Sequence, residues 1–274
     1  MRRLQDPLLQ ADRAMGLSHA PRQRLTDEAS RPANAARANS PEVVPVVAPI
    51  KPASQPPAVA APAPKAIPAP VMHAGARPRG AEALEALRAR HDRECPHCTT
   101  ATAHTQTVFG EGDPSARLMF IGEAPGETED RVGRPFVGRA GEKLDEMIRA
   151  MGLKREQVYI ANVLKSRPPE NRTPLQHEVE ACGPYLIEQI LTIRPEVIVT
   201  LGGPATKLLL ATDVGITRLR GVWSEWRAPG GEMAVPVMPT YHPAYLLRNY
   251  TPQTRGEMWA DLQAVMSRLG LTRT

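Results

Sequence analysis

Apolar and polar positions alternate in blocks along the C-terminal two thirds of the chain. Apolar runs of strand length occur at 117–122, 158–164, 197–201, 220–226 and 233–240. Between them, residues 80–91, 140–151, 174–193, 203–210 and 255–269 have the composition or the apolar spacing of helices, while 99–112 has the composition of a polar loop. Pro184 predicts an interruption of the helix over 174–193. Strands that alternate with helices predict a three-layer α/β/α sandwich around a mainly parallel central sheet.

The N-terminal part of the chain has a different composition. Residues 41–70 contain ten prolines, many alanines and valines, and almost no charge. Such a segment favours an extended linker over helix or sheet. We therefore expect a disordered arm over 1–80 and one folded domain over 81–274. Residues 3–17 have an amphipathic pattern that suits either a docking helix for a partner or a frayed terminus.

Charge and cysteine content restrict the class of protein. The 34 basic and 29 acidic residues give a net charge of +5, which is compatible with a polyanionic partner. No apolar run approaches the length of a membrane span, and the N-terminus lacks the apolar core of a secretory signal, so we expect a cytoplasmic protein. Three cysteines do not suggest a disulfide framework. The Cys95-Pro-His-Cys98 spacing instead indicates metal, cluster or redox chemistry.

Polar residues follow three of the predicted strands. A glycine-rich segment beginning Gly122-Glu123-Ala124-Pro125-Gly126 follows the first strand, Asn162 ends the second, and His242 follows the last. Ligands of open α/β sheets bind beyond the carboxyl ends of the strands. These side chains are therefore expected to converge on one ligand site.

Five motifs occur in order along the chain. They are Gly122–Gly126 with Glu129-Asp130; Gly133-Arg-Pro-Phe-Val-Gly-Arg-Ala-Gly141; Asn162-Val-Leu-Lys165; Arg167-Pro-Pro with Asn171-Arg172; and His242-Pro243 with Leu246-Leu247-Arg248. Over about residues 92–270 the chain thereby resembles the uracil-DNA glycosylase superfamily, specifically its iron–sulfur branch, family 4. The resemblance implies a DNA repair enzyme that flips out uracil and hydrolyses its N-glycosidic bond.

The resemblance also implies roles for individual residues. Asn162 would pair with the O4 and N3–H edge of uracil, and His242 would donate to O2 as negative charge develops there. Glu123 would position water or stabilise the sugar cation, so that Glu123, Asn162 and His242 form the catalytic set. Phe136 would stack on the base. The expected uracil-binding residues are Gly122, Ala124, Phe136, Asn162 and Asn171.

The DNA strand itself needs further contacts. Leu246 or Leu247 would wedge into the gap left by the flipped nucleotide, unless both belong to the core. The substrate would be uracil-containing DNA, single- or double-stranded, bound by a monomer, and the arm offers a docking segment for a repair or replication protein. The expected phosphate contacts are Arg139, Lys165, Arg167, Arg172 and Arg248.

The cysteine pattern departs from that of the family. Family 4 has four cluster cysteines, of which Cys95, Cys98 and Cys182 match three, and Ser166 stands at the fourth position. We expect a [4Fe–4S] cluster, with Ser166 as an oxygen ligand or with water or another side chain, such as that of His97, on the fourth iron. Loss of the cluster is the third alternative. A zinc site of the three cysteines with His97 or His91 is a fourth.

Two other functions fit the same scaffold. One is a non-catalytic module that binds DNA or uracil, for which the departure at Ser166 leaves room. The other is an iron–sulfur module that senses redox state. The intact Asn162 and His242 favour the enzyme. No lysine is placed as a Schiff-base nucleophile, so the sequence predicts a monofunctional glycosylase without lyase activity.

Overall fold

The computed structural model describes residues 79–231 and 233–271. Residues 1–78, which carry nearly all of the expected arm and the segment 3–17, lie outside these described residues. No helix within the described ranges is both long enough and apolar enough to cross a membrane.

Strands and helices alternate as the sequence predicts, with two 3₁₀ turns at Arg155–Gln157 and Pro169–Asn171. The strands are β1 Glu111–Gly112, β2 Leu118–Gly122, β3 Tyr159–Asn162, β4 Val197–Leu201, β5 Ser224–Arg227 and β6 Ala234–Thr240. The helices are α1 Gly80–Glu94, α2 Glu127–Val132, α3 Arg139–Ala150, α4 Gln176–Ile193, α5 Gly203–Leu210, α6 Ile216–Leu219, α7 Pro243–Arg248 and α8 Pro252–Leu269.

These strands form one sheet in the order β1-β3-β2-β4-β6-β5. The four inner strands are parallel, and the edge strands β1 and β5 are antiparallel to their neighbours. The mainly parallel α/β class is therefore confirmed. Because parallel strands end at the same edge, the loops after β2, β3 and β6 are neighbours in space.

Both faces of the sheet are buried by helices. Along β2, Leu118 and Phe120 face a core layer built with α3, α7 and α8, whereas Met119 and Ile121 face a second layer built with α1, α4 and α5. Successive strand residues point to opposite faces, so a continuous apolar run indicates a strand covered on both sides. The second layer also contains the three cysteines.

Two predictions of secondary structure are wrong. The helix over 174–193 is not interrupted, since α4 runs from Gln176 to Ile193 with Pro184 inside it. The buried Cys182, Leu186 and Ile190 secure the helix on both sides of the proline, so packing outweighs the backbone hydrogen bond that proline cannot donate. The expected polar loop over 99–112 ends in strand β1, because Glu111 and Gly112 pair with β3.

Candidate active site

The carboxyl ends of β2, β3 and β6 surround one pocket. In the β2–β3 pairing, Gly122 lies opposite Asn162, and β6 ends two residues before His242. The pocket has a volume of about 400 Å³. Its lining residues are Glu123, Ala124, Pro125, Gly126, Glu129, Phe136, Ala140, Asn162, Pro168, Asn171, Arg172, Thr173, His242, Ala244 and Arg248. The structure thus brings together every predicted catalytic residue, together with Phe136 and Asn171.

The side chain of Asn162 is buried without a hydrogen bond. The residue is 1% exposed, and neither its Nδ2 nor its Oδ1 has a partner among the described residues. An unpaired buried polar group costs on the order of 1–3 kcal/mol, so folded proteins rarely keep one without a reason. The amide presents a donor and an acceptor side by side to the pocket. It is therefore poised for a planar ligand with the complementary pair.

Phe136 forms the wall of the pocket next to Asn162. Its backbone has a φ of 51°, an unusual value for an aromatic residue, and its side chain is 5% exposed. A Cβ on Gly122 would lie 2.5 Å from Phe136 Cζ and 2.4 Å from Asn162 Oδ1. Only glycine therefore lets the strand end, the ring and the amide pack this closely.

Two residues to which the sequence assigned no role, Glu129 and Arg155, hold the loop of Phe136. The Oε1 of Glu129 accepts hydrogen bonds of 2.8 Å from the backbone N–H groups of Val137 and Gly138. Arg155 donates to the carbonyl oxygen of Phe136 at 3.1 Å and to that of Pro135. The carboxylate and the guanidinium hold this loop from opposite ends. The sequence signal for Glu129 was its place in the first motif, whereas nothing local marked Arg155.

His242 caps the N-terminus of α7 with its imidazole. The backbone N–H of Ala244 donates to Nδ1 at 3.1 Å, which leaves the proton of the neutral ring on Nε2. The ring lies beside that of Phe136, with 5.5 Å between centroids. Burial, with a smaller contribution from Arg248, lowers the pKa of His242 from 6.5 to about 4. At neutral pH the residue is therefore an uncharged donor.

We expect this pKa to be measurable directly. A histidine ring titration followed by NMR should place the His242 midpoint near pH 4, and Arg248→Gln should raise it because a nearby cation is removed. Unfolded histidine titrates near 6.5, so the unfolded state binds more protons between pH 6.5 and 4. This residue's contribution to stability should accordingly fall as the pH drops through that window. A midpoint of 6 or above would contradict the buried geometry.

Glu123 and Asn171 occupy two different depths of the pocket. Glu123 is half-buried directly after β2, and burial raises the pKa of its carboxyl group. Asn171 is exposed at the rim with a φ of 55°, and its Oδ1 accepts a hydrogen bond of 2.8 Å from Arg167. Glu123 can therefore accept a proton inside the pocket, whereas Asn171 belongs to its entrance.

The predicted DNA contacts are only partly supported by their positions. Arg139 and Arg248 are exposed. Arg172 lines the pocket and makes two hydrogen bonds to Glu178, of 2.8 and 2.7 Å. Arg172 and Arg248 line the pocket, Arg167 contacts the lining residue Asn171, and Arg139 precedes the lining residue Ala140 in sequence.

Two predicted DNA contacts are wrong. Lys165 is fully buried, and its Nζ donates to the carbonyl oxygen of Asn162 at 2.8 Å and to Gln189 Oε1 at 2.5 Å, so it braces the end of β3 instead of reaching a phosphate. Leu246 is 0% exposed within the core, and extracting it would open a cavity. Leu247, which is half-buried, remains the candidate wedge.

A second cluster of reactive side chains lies between α1 and α4. One ligand atom each from His91, Cys95, Cys98 and Cys182 lies within 4.8 Å of the others, and all four residues are buried. The Sγ atom of Cys182 is 3.6 Å from that of Cys95 and 3.3 Å from that of Cys98. Three thiols and an imidazole form a donor set for a soft metal ion or an iron–sulfur cluster. Of the histidines considered, His91 belongs to this group and His97 does not.

The fold and the pocket define an α/β/α protein with a ligand site at the carboxyl edge of its sheet and a separate group of three cysteines and a histidine that could hold a metal. The family described as the uracil DNA glycosylase superfamily matches residues 109–263. This chain belongs to that superfamily, as its motifs predict.

Several similar proteins are type-4 uracil-DNA glycosylases. That of Thermotoga maritima is 44% identical over 187 residues, which cover 68% of this chain and 95% of the relative. The Sulfurisphaera tokodaii protein is 46% identical, over 62% of this chain and 78% of its own, and that of Archaeoglobus fulgidus is 43% identical, over 64% and 88%. The predicted resemblance to family 4 is confirmed.

Proposed function

We propose that this protein is a monofunctional uracil-DNA glycosylase that acts in DNA repair. The observation that carries the proposal is the unpaired amide of Asn162, buried in a pocket walled by Phe136 and His242. The type-4 enzymes to which the chain is similar support the same activity. DNA that contains uracil is the substrate.

Recognition of uracil follows from the amide of Asn162. Its Nδ2–H donates to the uracil O4, and its Oδ1 accepts from N3–H, while the ring of Phe136 covers one face of the base. Cytosine has a donor in place of O4 and an acceptor at N3. Cytosine would therefore place a donor against the Nδ2–H of Asn162 and an acceptor against its Oδ1. Such mismatched buried polar groups make a site discriminate strongly against the wrong base.

Bond cleavage needs stabilisation of two opposite charges. As the bond to N1 breaks, negative charge spreads onto the uracil O2, where the Nε2–H of neutral His242 donates without transferring its proton. The sugar becomes cationic at C1′ and is attacked by water. Glu123 accepts the proton of that water, and its raised pKa makes it a better base than an ordinary glutamate. The uracil anion then takes up one proton and Glu123 gives one up, so the products are free uracil and an abasic site.

DNA is held by positive charge around the pocket. Arg139, Arg167, Arg172 and Arg248 contact phosphates without reading sequence, while Leu247 fills the gap in the base stack. None of the residues that line the pocket in the described part of the chain is a lysine. The enzyme therefore releases uracil without a covalent Schiff base and without strand cleavage.

We also propose that Cys95, Cys98 and Cys182 hold a [4Fe–4S] cluster. The cluster would tie the end of α1 to α4 and brace the segment through Ser166 that leads to Arg167. Its role is structural and not part of the glycosidic chemistry. The spacing of the sulfurs also suits zinc, because one tetrahedral ion with metal–sulfur bonds of 2.3 Å keeps its sulfurs about 3.8 Å apart. To hold a cluster of four irons, the sulfurs of Cys95, Cys98 and Cys182 would have to lie farther apart.

Product analysis tests this function. The purified protein is incubated with an oligonucleotide that contains one uracil, and with the matched oligonucleotide that contains thymine. We expect free uracil and a strand that breaks only after alkali treatment, with no release of thymine. Tight binding to the uracil strand without release would establish a binding module instead. Strand cleavage without alkali would contradict the monofunctional mechanism.

Gly122→Ala should disable the pocket without unfolding the protein. The added Cβ would displace Phe136 or Asn162 by the better part of an ångström, and a misplacement of this size costs about 100-fold in rate. Gly256→Ala is the matched control, because its added Cβ would meet no atom within 4 Å beyond the adjacent backbone of its own helix. Single-turnover uracil release and thermal unfolding of both variants check this. Equal rates would show that the tight contact is unimportant.

We propose that the arm over 1–80 tethers the enzyme and takes no part in the chemistry. The chain that begins at residue 81 should therefore keep the single-turnover rate of the full chain, since every pocket residue lies beyond it. Its affinity for a repair or replication partner would be lost. A large fall in the rate at saturating enzyme would contradict the role of a tether.

A further inference from the structure

The proposed metal centre has three cysteine ligands, and the question is which residue supplies the fourth. Ser166 stands where the family resemblance places a fourth cysteine. Its Oγ lies 3.3 Å from the Sγ of Cys98 and is buried. A serine hydroxyl keeps its proton at neutral pH, whereas iron–sulfur clusters are held by thiolates or, in some proteins, by neutral imidazole. Proximity alone therefore does not make Ser166 the ligand.

His91 lies one helical turn before Cys95, in the last turn of α1. This spacing places the imidazole and the thiol on the same side of the chain. The residue is 0% exposed, its Nε2 makes no hydrogen bond of ordinary geometry among the described residues, and the thiols of Cys95 and Cys98 are close enough to raise the pKa of its ring. The side chain belongs to the group whose ligand atoms all lie within 4.8 Å. A buried imidazole nitrogen whose polar neighbours are cysteine thiols is placed to bind the same metal as they do.

The other ring nitrogen of His91 is already engaged. Its Nδ1 lies 2.9 Å from Asp92 Oδ1, and this same carboxylate oxygen accepts a hydrogen bond of 2.8 Å from the hydroxyl of Thr107. Donation from Nδ1–H to a carboxylate fixes the tautomer in which Nε2 carries the free lone pair, as in many histidines that bind metals. Asp92 thus orients the ligand.

Aromatic neighbours fix the plane of the same ring. Tyr185 packs edge-on against His91 with 4.9 Å between centroids, and Phe109 lies at 5.6 Å. The imidazole therefore has little freedom to rotate. Its orientation is set before any metal binds, which is the arrangement expected of a ligand and not of a surface histidine.

We propose that His91 is the fourth protein ligand of this centre. The centre is then a Cys₃His site formed by His91, Cys95, Cys98 and Cys182. Ser166 lies beside it but does not bind the metal. The inference rests on the metal centre of the proposed function and is independent of the pocket chemistry. A neutral imidazole in place of a thiolate leaves the centre less negative, which makes a cluster easier to reduce. His91→Cys should therefore lower the reduction potential of the cluster.

The test uses the full chain purified without oxygen and labelled with ¹⁵N only at histidine. Iron, sulfide and zinc are first measured. We then expect pulsed EPR of the reduced cluster to show a ¹⁵N coupling, which persists in His97→Ala and Ser166→Ala and vanishes in His91→Ala and His91→Cys. His91→Cys should keep its cluster at a lower potential. Asp92→Asn should weaken metal retention about 10–100-fold while keeping the coupling.

Each other outcome has a defined meaning. A coupling that survives in His91→Ala, or a cluster lost only in Ser166→Ala, overturns the assignment of His91, and so does protein without any metal. If zinc is found, X-ray absorption should show three sulfurs and one nitrogen, with the nitrogen missing in His91→Ala. That result would confirm three cysteines and His91 as the ligands, and it would contradict the proposal of an iron–sulfur cluster. Uracil release, measured on the same samples, reports separately on the proposed enzyme.

Discussion

Asn162→Ala should slow single-turnover uracil release by about 1,000-fold or more. The substitution removes the buried side-chain amide that is placed to pair with both O4 and N3–H, and sites that hydrogen-bond a substrate lose factors of up to about 10⁴–10⁵ when the pairing is lost. Asn162→Asp keeps the shape but replaces the Nδ2 donor with an acceptor, so it should be nearly as slow. Asn249→Ala, at an exposed position after α7, is the control.

The stability of the same variant separates function from folding. The side-chain amide of Asn162 has no hydrogen-bond partner among the residues that the structure describes, so its removal relieves a desolvation cost of about 1–3 kcal/mol. We therefore expect the free energy of unfolding of Asn162→Ala to be equal to or higher than that of the wild type. A large loss of stability would show that the amide has a structural partner. A rate of uracil release by Asn162→Ala within tenfold of the wild-type rate would contradict the role of Asn162 in recognising uracil.

His242→Ala should lower the maximal rate by about 100- to 1,000-fold, the usual effect of removing one donor to a developing oxyanion. The binding of uracil-containing DNA should change much less, because the charge on O2 develops only as the bond breaks. His177→Ala, an exposed histidine on α4, is the matched control. Single-turnover rates and affinities, measured on the same oligonucleotide, separate the two effects.

The pH dependence gives a second test of the histidine. Because the pKa of His242 is about 4, the ring is uncharged throughout pH 6–8 and the rate should not change through its titration there. Below this range protonation at Nδ1 would break the bond from Ala244 N–H, and the rate should fall. A fall centred near pH 6.5 that disappears in His242→Ala would contradict an uncharged donor.

The sequence was sufficient for the sheet and for the centre of the pocket. Continuous apolar runs at β2 and β4 indicate strands covered on both faces, and parallel strands must present Glu123, Asn162 and His242 at one edge. These predictions depend only on local pattern and on the geometry of a parallel sheet. They were therefore accessible without tertiary information.

Other features depend on contacts distant in sequence. The sequence predicts Lys165 to be a surface cation. Its burial depends instead on a hydrogen bond to Gln189, a residue 24 positions later in α4. Leu246 and Leu247 lie in a helix of six residues, too short to reveal which of them faces the core. The link from Arg155 to Phe136 spans 19 positions and leaves no local signature. Sequence patterns carry little information on such pairings.

The measurement that tests the central claim most directly is single-turnover uracil release by the full chain, with Asn162→Ala and His242→Ala in parallel. Oligonucleotides carrying uracil, thymine or cytosine at one position serve as substrates, single-stranded and in duplex. We expect release of uracil alone by the wild type and a strong loss of rate in both variants. Binding of the uracil strand without release, by protein that retains its metal, would contradict it.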